Sequence, residues 1–170
     1  RYEELVAVAD EALRPDVVAA PNPRIEEDIL SRRLSALGEY APPATVAAEA
    51  EALLKRYPQN LAAVNVQGRA LLADRKPDEA DRVTDVLRKN PDGARMEAGY
   101  HDTLARIDAA LGRMDQAYAN YEAALGIDAT LSKSYARKLS ELGFLPLSNA
   151  PPGVLTALRP VPHGLRALRG

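Results

Sequence analysis

An internal repeat constrains the fold of this chain more than any other feature of its sequence. Arginines recur at a spacing of 37 residues, at Arg32, Arg69 and Arg106, within the similar segments SRRLSALG, QGRALLAD and LARIDAALG. A fourth version, YARKLSELG, surrounds Arg137. A period of about 20–50 residues is typical of arrays in which one supersecondary unit is stacked on copies of itself.

A second helical pattern follows each of the first three versions, in the segments VAAEAEALLKRYP, EADRVTDVLRKNP and QAYANYEAALGID. Two of these segments reach a proline, Pro58 or Pro91, which cannot continue a helix. The chain opens with the same pattern, YEELVAVADEALRP. The first residue therefore falls inside a repeat unit, and we expect a processed product or a fragment.

The composition favours helices throughout. Aromatic residues make up only 5% of the chain, alanine and leucine are abundant, and no run alternates Val, Ile and Thr as strands do. We predict an all-α fold with helices at 2–13, 25–38, 44–57, 61–74, 78–90, 98–111, 115–126 and 130–143.

These features resemble tetratricopeptide repeats, whose unit of about 34 residues holds two antiparallel helices. The third repeat matches the family at Leu104, Ala105, Gly112, Ala117, Tyr121, Ala124 and Leu125, and the second at Gly68, Leu71, Ala80 and Pro91. The sequence departs from the family in its spacing, in having no Trp, and in Arg75 at the position of a turn glycine. The resemblance implies a right-handed α-solenoid of antiparallel helix pairs over residues 1–145, which begins in the second helix of a partial repeat.

The resemblance also implies where a partner would bind. In this family the first helices of each repeat line a concave groove that holds a peptide or a partner helix. The residues placed on that inner face are Arg32, Arg69, Arg106 and Arg137, with Asp28, Asn65, Asp102 and Lys133 one turn earlier. Arginine suits the carboxylates of an extended segment. In the alternative interpretation, Asp28–Arg32 and Asp102–Arg106 are i,i+4 ion pairs that only support solvated helices.

No pattern indicates catalysis, a metal or a cofactor. The two histidines, His101 and His163, are distant in sequence. The chain has no cysteine, so it offers no thiolate ligand for a metal such as zinc. No glycine-rich phosphate loop and no nucleophile elbow is present. We therefore expect a protein that is not an enzyme and needs no cofactor.

Charge and hydropathy narrow the class of partner. A net charge of −2 provides no basic field for nucleic acid. No apolar run reaches the roughly 18 residues of a membrane-spanning helix.

The sequence contains no readable targeting signal. The compartment therefore stays open between the cytoplasm, our first expectation, and the periplasm.

Residues 146–170 form a tail of different composition. No acid follows Glu141, three arginines lie between Arg159 and Arg169, and five prolines exclude a long helix. We predict a linker, or a segment that folds back on the repeats, with a short helix at 153–158.

The sequence thus leaves three functions open. The first is a protein–protein interaction module or scaffold that binds a partner protein or peptide in its concave groove. The second is a helical accessory domain of a larger enzyme or of a bacterial envelope or polysaccharide-export machine. The third is a module that self-associates through the exposed ends of the repeat array. The high content of alanine, arginine and aspartate is typical of a GC-rich bacterium.

Overall fold

The computed structural model describes residues 1–17, 22–89, 97–131, 144–146 and 158–160. This part of the chain holds seven α-helices, which confirms the all-α class. They are α1 (Tyr2–Ala12), α2 (Pro23–Leu37), α3 (Pro43–Arg56), α4 (Leu61–Ala73), α5 (Pro77–Arg88), α6 (Ala98–Ala110) and α7 (Met114–Ile127). Each predicted boundary lies within two residues of the observed one. Of the predicted helix at 130–143, the structure describes only the 3₁₀ turn Ala129–Leu131.

Proline and asparagine explain where several helices begin. Pro23, Pro43 and Pro77 occupy the first position of α2, α3 and α5, where the missing N–H has no intrahelical partner to lose. The side chain of Asn22 accepts a hydrogen bond from the backbone N–H of Arg24 at the start of α2. The Asn60 side chain caps α4 in the same manner, through the backbone N–H of Ala63 at 2.8 Å.

A short antiparallel ribbon lies in the C-terminal tail. The strand β1 (Phe144–Pro146) pairs with β2 (Leu158–Pro160), and Phe144 is opposite Pro160. The predicted short helix at 153–158 is wrong at Leu158, which begins β2, while residues 153–157 lie outside the described residues. Prolines are compatible with this ribbon because a two-stranded sheet has only edge strands.

Two compact units divide the chain, at residues 1–91 and 92–170. We call them the N-terminal unit and the C-terminal unit. The predicted division into a repeat domain at 1–145 and a tail at 146–170 stays a prediction.

The N-terminal unit is held together by an apolar core and by polar contacts between helix ends. The core includes Val6, Leu34, Leu37, Val46, Ala50, Leu53, Ala63, Val66 and Ala70. Arg56 forms a bidentate ion pair with Glu26, with both N···O distances at 2.6 Å, and the Tyr57 hydroxyl donates to the same carboxylate at 2.9 Å. These contacts place the end of α3 beside the start of α2.

Alanines occupy many of the fully buried positions of both units. The alanines with no exposed surface are Ala50, Ala63, Ala80, Ala105, Ala117 and Ala124. In the C-terminal unit, Tyr121 fills the space beside Ala105 and Ala124. Alanine at such positions lets helix backbones approach closely, while the larger neighbours fill the remaining volume.

The turns of the repeats are not equivalent, although their sequences are similar. Gly112, between α6 and α7, has a φ of +75°, and Arg75, at the corresponding turn between α4 and α5, has a φ of +61°. Gly38 ends α2 with a φ of −61°, in the right-handed region. The recurring tripeptide Ala-Leu-Gly therefore ends two helices with different backbone conformations.

Candidate functional site

The three predicted binding arginines within the described residues, Arg32, Arg69 and Arg106, form ion pairs with acids of their own chain. Arg32 contacts Asp28 at 2.9 Å on α2, and Arg106 contacts Asp102 at 3.6 Å on α6. Both pairs have the i,i+4 spacing that the alternative interpretation expected. Side chains of the Arg32–Asp28 pair are mostly exposed, so water and salt weaken their attraction. Whether these guanidinium groups also bind a partner stays a prediction.

Arg69 has a partner that the sequence analysis missed. Its guanidinium contacts the Glu39 carboxylate at 3.2 Å, which joins α4 to the turn that follows α2. Both side chains are about two-fifths exposed. Glu39 is 30 residues away in sequence, so no local spacing rule could have indicated this pair.

Asn65 is the buried polar member of the predicted set. Its side chain lies one helical turn before Arg69, and the residue is only 9% exposed. Its Oδ1 atom has no hydrogen-bond partner among the described residues. Because buried polar atoms are nearly always paired, this acceptor marks a place where the described residues supply no hydrogen-bond donor.

The other members of the predicted set are divided between regions. Asp28, Arg32, Asn65 and Arg69 belong to the N-terminal unit, and Asp102 and Arg106 belong to the C-terminal unit. Lys133 and Arg137 lie outside the described residues.

A buried polar network in the C-terminal unit was not predicted from the sequence. Asp108 has no exposed surface and contacts the Arg113 guanidinium at 2.9 Å. The Asn120 side-chain N–H donates to Asp108 at 3.0 Å, and the Asn120 Oδ1 atom lies 3.2 Å from the His101 Nδ1 atom. An acid next to Ile107 within the buried face of α6 was the available signal for this network.

Tyrosines pack between helices in this unit. Tyr121 is 2% exposed, and burial raises its pKa to about 12, with a contribution from the Asp102 carboxylate. Burial also raises the pKa of Tyr100 and Tyr118.

The described residues contain no group of three or more side chains suited to hold a metal ion.

An open groove of about 560 Å³ lies between α3, α4 and α5. Its apolar lining comes from Ala44, Ala47, Ala48, Leu71 and Val83, and its polar lining from Glu51, Gln67, Asp74, Lys76, Glu79 and Arg82. This volume lies within the range of about 300–1,000 Å³ that is usual for ligand clefts.

Exposed apolar side chains concentrate near the start of the chain. On α1, Val6 and Ala9 are buried, whereas Leu5 is 55% exposed and Val8 is 67% exposed. Ile25 at the start of α2 is also exposed. Self-association through this end stays a prediction.

Within the described ranges, no helix has the length and apolarity needed to cross a membrane.

The comparisons with known proteins identify no relative. No family model matches the chain, and no curated protein or solved structure matches it either.

Proposed function

We propose that this chain is a protein-interaction module, whose helix pairs form a right-handed solenoid of the tetratricopeptide type. The proposed binding face carries Asp28, Arg32, Asn65, Arg69, Asp102 and Arg106, together with Lys133 and Arg137. The repeat in the sequence, the fully buried alanines and the matching helix boundaries support the architecture.

The observation that carries the binding proposal is the buried Asn65 acceptor. An unpaired amide oxygen costs about 1–3 kcal/mol when it is removed from water. A partner that displaces the groups covering the Asn65 oxygen and donates an N–H to it recovers this free energy on binding. The main chain of an extended peptide supplies such donors at every residue except proline.

The neighbouring ion pairs are compatible with partner binding. Exposed pairs contribute roughly 0.2–1 kcal/mol. A carboxylate from a partner can therefore replace Glu39 at Arg69 at a small cost. In such an exchange the displaced acid returns to water.

The test is a quantitative capture experiment with the tagged chain as bait in a bacterial lysate. The variant Asn65→Leu removes the unpaired amide and keeps a similar volume, so we expect unchanged or higher stability together with loss of the captured partner. The double variant Arg69→Glu/Arg106→Glu should lose the same partner. Arg14→Glu is the matched control, because Arg14 is an exposed, ion-paired arginine that follows α1 and lies outside the helices of the proposed face.

Two results would contradict the proposal. One is a partner that both Asn65→Leu and Arg69→Glu/Arg106→Glu retain, which would move binding away from this face. The other is an Asn65→Leu variant that loses stability, because the amide would then have a structural role.

A further inference from the structure

The turn after α2 holds an acid beside α4. At Gly38, which ends α2, an added Cβ atom would lie 3.6 Å from the Cγ1 atom of Val66 on α4, so the backbone of the turn passes close to that helix. The backbone N–H of Glu39 donates to the carbonyl of Ala36 at 3.2 Å. Leu37, just before the turn, is buried in the core of the N-terminal unit. These contacts fix the backbone of Glu39 without using its side chain.

The Glu39 side chain occupies the guanidinium group of Arg69. The Oε1 atom of Glu39 lies 3.2 Å from the Nη2 atom of Arg69, and no other acid among the described residues pairs with this arginine. Both side chains are about two-fifths exposed, so the pair is open to water. A carboxylate that approaches Arg69 from solution must displace Glu39 or lie beside its negative charge, and either arrangement costs free energy.

The fold has little need of this ion pair. Hydrogen bonds within the turn and the buried leucines before it already hold the turn in place. An exposed ion pair contributes little to stability, because water competes for both charges and two long side chains must be ordered. The Arg32 and Arg106 pairs differ, because their acids lie one turn earlier on the same helix, where i,i+4 pairs support the helix itself.

We propose that Glu39 is an internal competitor that regulates carboxylate binding at Arg69. This inference rests on the proposed function, because it requires a partner that brings a carboxylate to Arg69. Glu39 is present at the guanidinium in every molecule, so a stray carboxylate gains little there. A partner carboxylate that other contacts hold in place replaces Glu39, whose side chain then turns into water while its backbone stays fixed.

The probes for this inference are peptides selected from a random phage-displayed library against the full chain. Each selected peptide is paired with a counterpart in which its Glu and Asp residues are changed to Gln and Asn. Dissociation constants are measured by fluorescence polarisation, and peptides at the proposed face are those that Arg69→Gln weakens. For these peptides, Glu39→Gln should lower the dissociation constant about two- to fivefold. The amide counterparts should bind both forms of the chain equally, because they do not compete with Glu39.

Two controls separate competition from a general change of charge. In the Arg69→Gln background, Glu39→Gln should have no effect on the dissociation constants. Glu51→Gln removes an exposed acid of α3 that pairs with Lys55 at 2.9 Å, away from the helices of the proposed face, and should leave the affinity unchanged. Thermal unfolding of Glu39→Gln should stay close to that of the parent, because the turn does not depend on the ion pair.

The outcomes distinguish this inference from the proposed function. If Arg69→Gln weakens the peptides but Glu39→Gln binds them no more tightly than the parent, the inference is overturned and the binding face stands. The inference is also overturned if Glu39→Gln tightens binding equally in the Arg69→Gln background. If no selected peptide loses affinity with Arg69→Gln, both the inference and the role of Arg69 in the proposed face are contradicted.

Discussion

Replacing Arg75 with glycine is expected to raise the free energy of unfolding. Arg75 is the only non-glycine residue with a positive φ in the described part of the chain. It ends the turn between α4 and α5, where its backbone N–H donates to the carbonyl of Leu72 at 3.1 Å. Glycine can keep this hydrogen bond and adopt the same conformation without the clash of a Cβ atom.

The magnitude follows from two opposing effects. Relief of the left-handed strain contributes about 1–2 kcal/mol. The greater backbone freedom of glycine in the unfolded chain opposes it by about 0.4–1 kcal/mol. No ion pair of Arg75 is lost among the described residues. The net expectation is a stabilisation of about 0.5–1 kcal/mol, which corresponds to a rise in Tm of roughly 1–4 °C.

Chemical denaturation of matched variants measures this effect. Arg75→Ala removes the same side chain but keeps Cβ, so the difference between the Gly and Ala variants isolates the backbone strain. Gly112→Ala is the reverse test and should destabilise the fold by about 0.5–1 kcal/mol, the same balance with the opposite sign. An added Cβ at Gly112 would meet no atom within 4 Å, so any loss there is conformational. If Arg75→Gly is no more stable than Arg75→Ala, the argument from strain is wrong.

Three further predictions concern the C-terminal unit. Ala117→Leu should lower the free energy of unfolding by about 1–3 kcal/mol through overpacking, whereas Ala119→Leu on the exposed side of α7 should change it little in the same denaturant titration. Burial holds the pKa of Tyr121 at about 12, against about 10 in the unfolded chain. The unfolded chain therefore loses the hydroxyl proton first, and the stability that the protonated Tyr121 contributes, complete below pH 10, is lost as the pH rises toward 12. Alkaline unfolding followed by circular dichroism should therefore be less steep in Tyr121→Phe, and an unchanged slope would contradict this. Asp108→Asn should cost about 2 kcal/mol in thermal unfolding, because it leaves the partly buried Arg113 guanidinium without its carboxylate; a loss below about 0.5 kcal/mol would show that the pair contributes little.

Local sequence signals predicted the helices well. Prolines at the first helical position and periodic apolar residues set the boundaries of α2, α3 and α5 because both act within one or two turns. The C-terminal ribbon was missed because its pairing of Phe144 with Pro160 is a contact across the chain. No repeat or propensity of either segment encodes such a contact.

The site was predicted less completely, for the same physical reason. The i,i+4 spacing was sufficient to anticipate the pairs Asp28–Arg32 and Asp102–Arg106. The contact between Glu39 and Arg69 depends on how two helices pack, so it was not readable in the sequence. The strain at Arg75 was partly readable, because the family resemblance indicated a glycine at that position.

The buried carboxylate of Asp108 also determines the tautomer of His101. An ionised carboxylate only accepts hydrogen bonds, so the Asn120 amide must direct its N–H group toward Asp108 and its oxygen toward the imidazole ring. The His101 ring then donates from Nδ1 to the Asn120 oxygen. The hydrogen bonds from His101 through Asn120 to Asp108 therefore run in one direction, and they tie α6 to α7 through polar groups as well as through the apolar core.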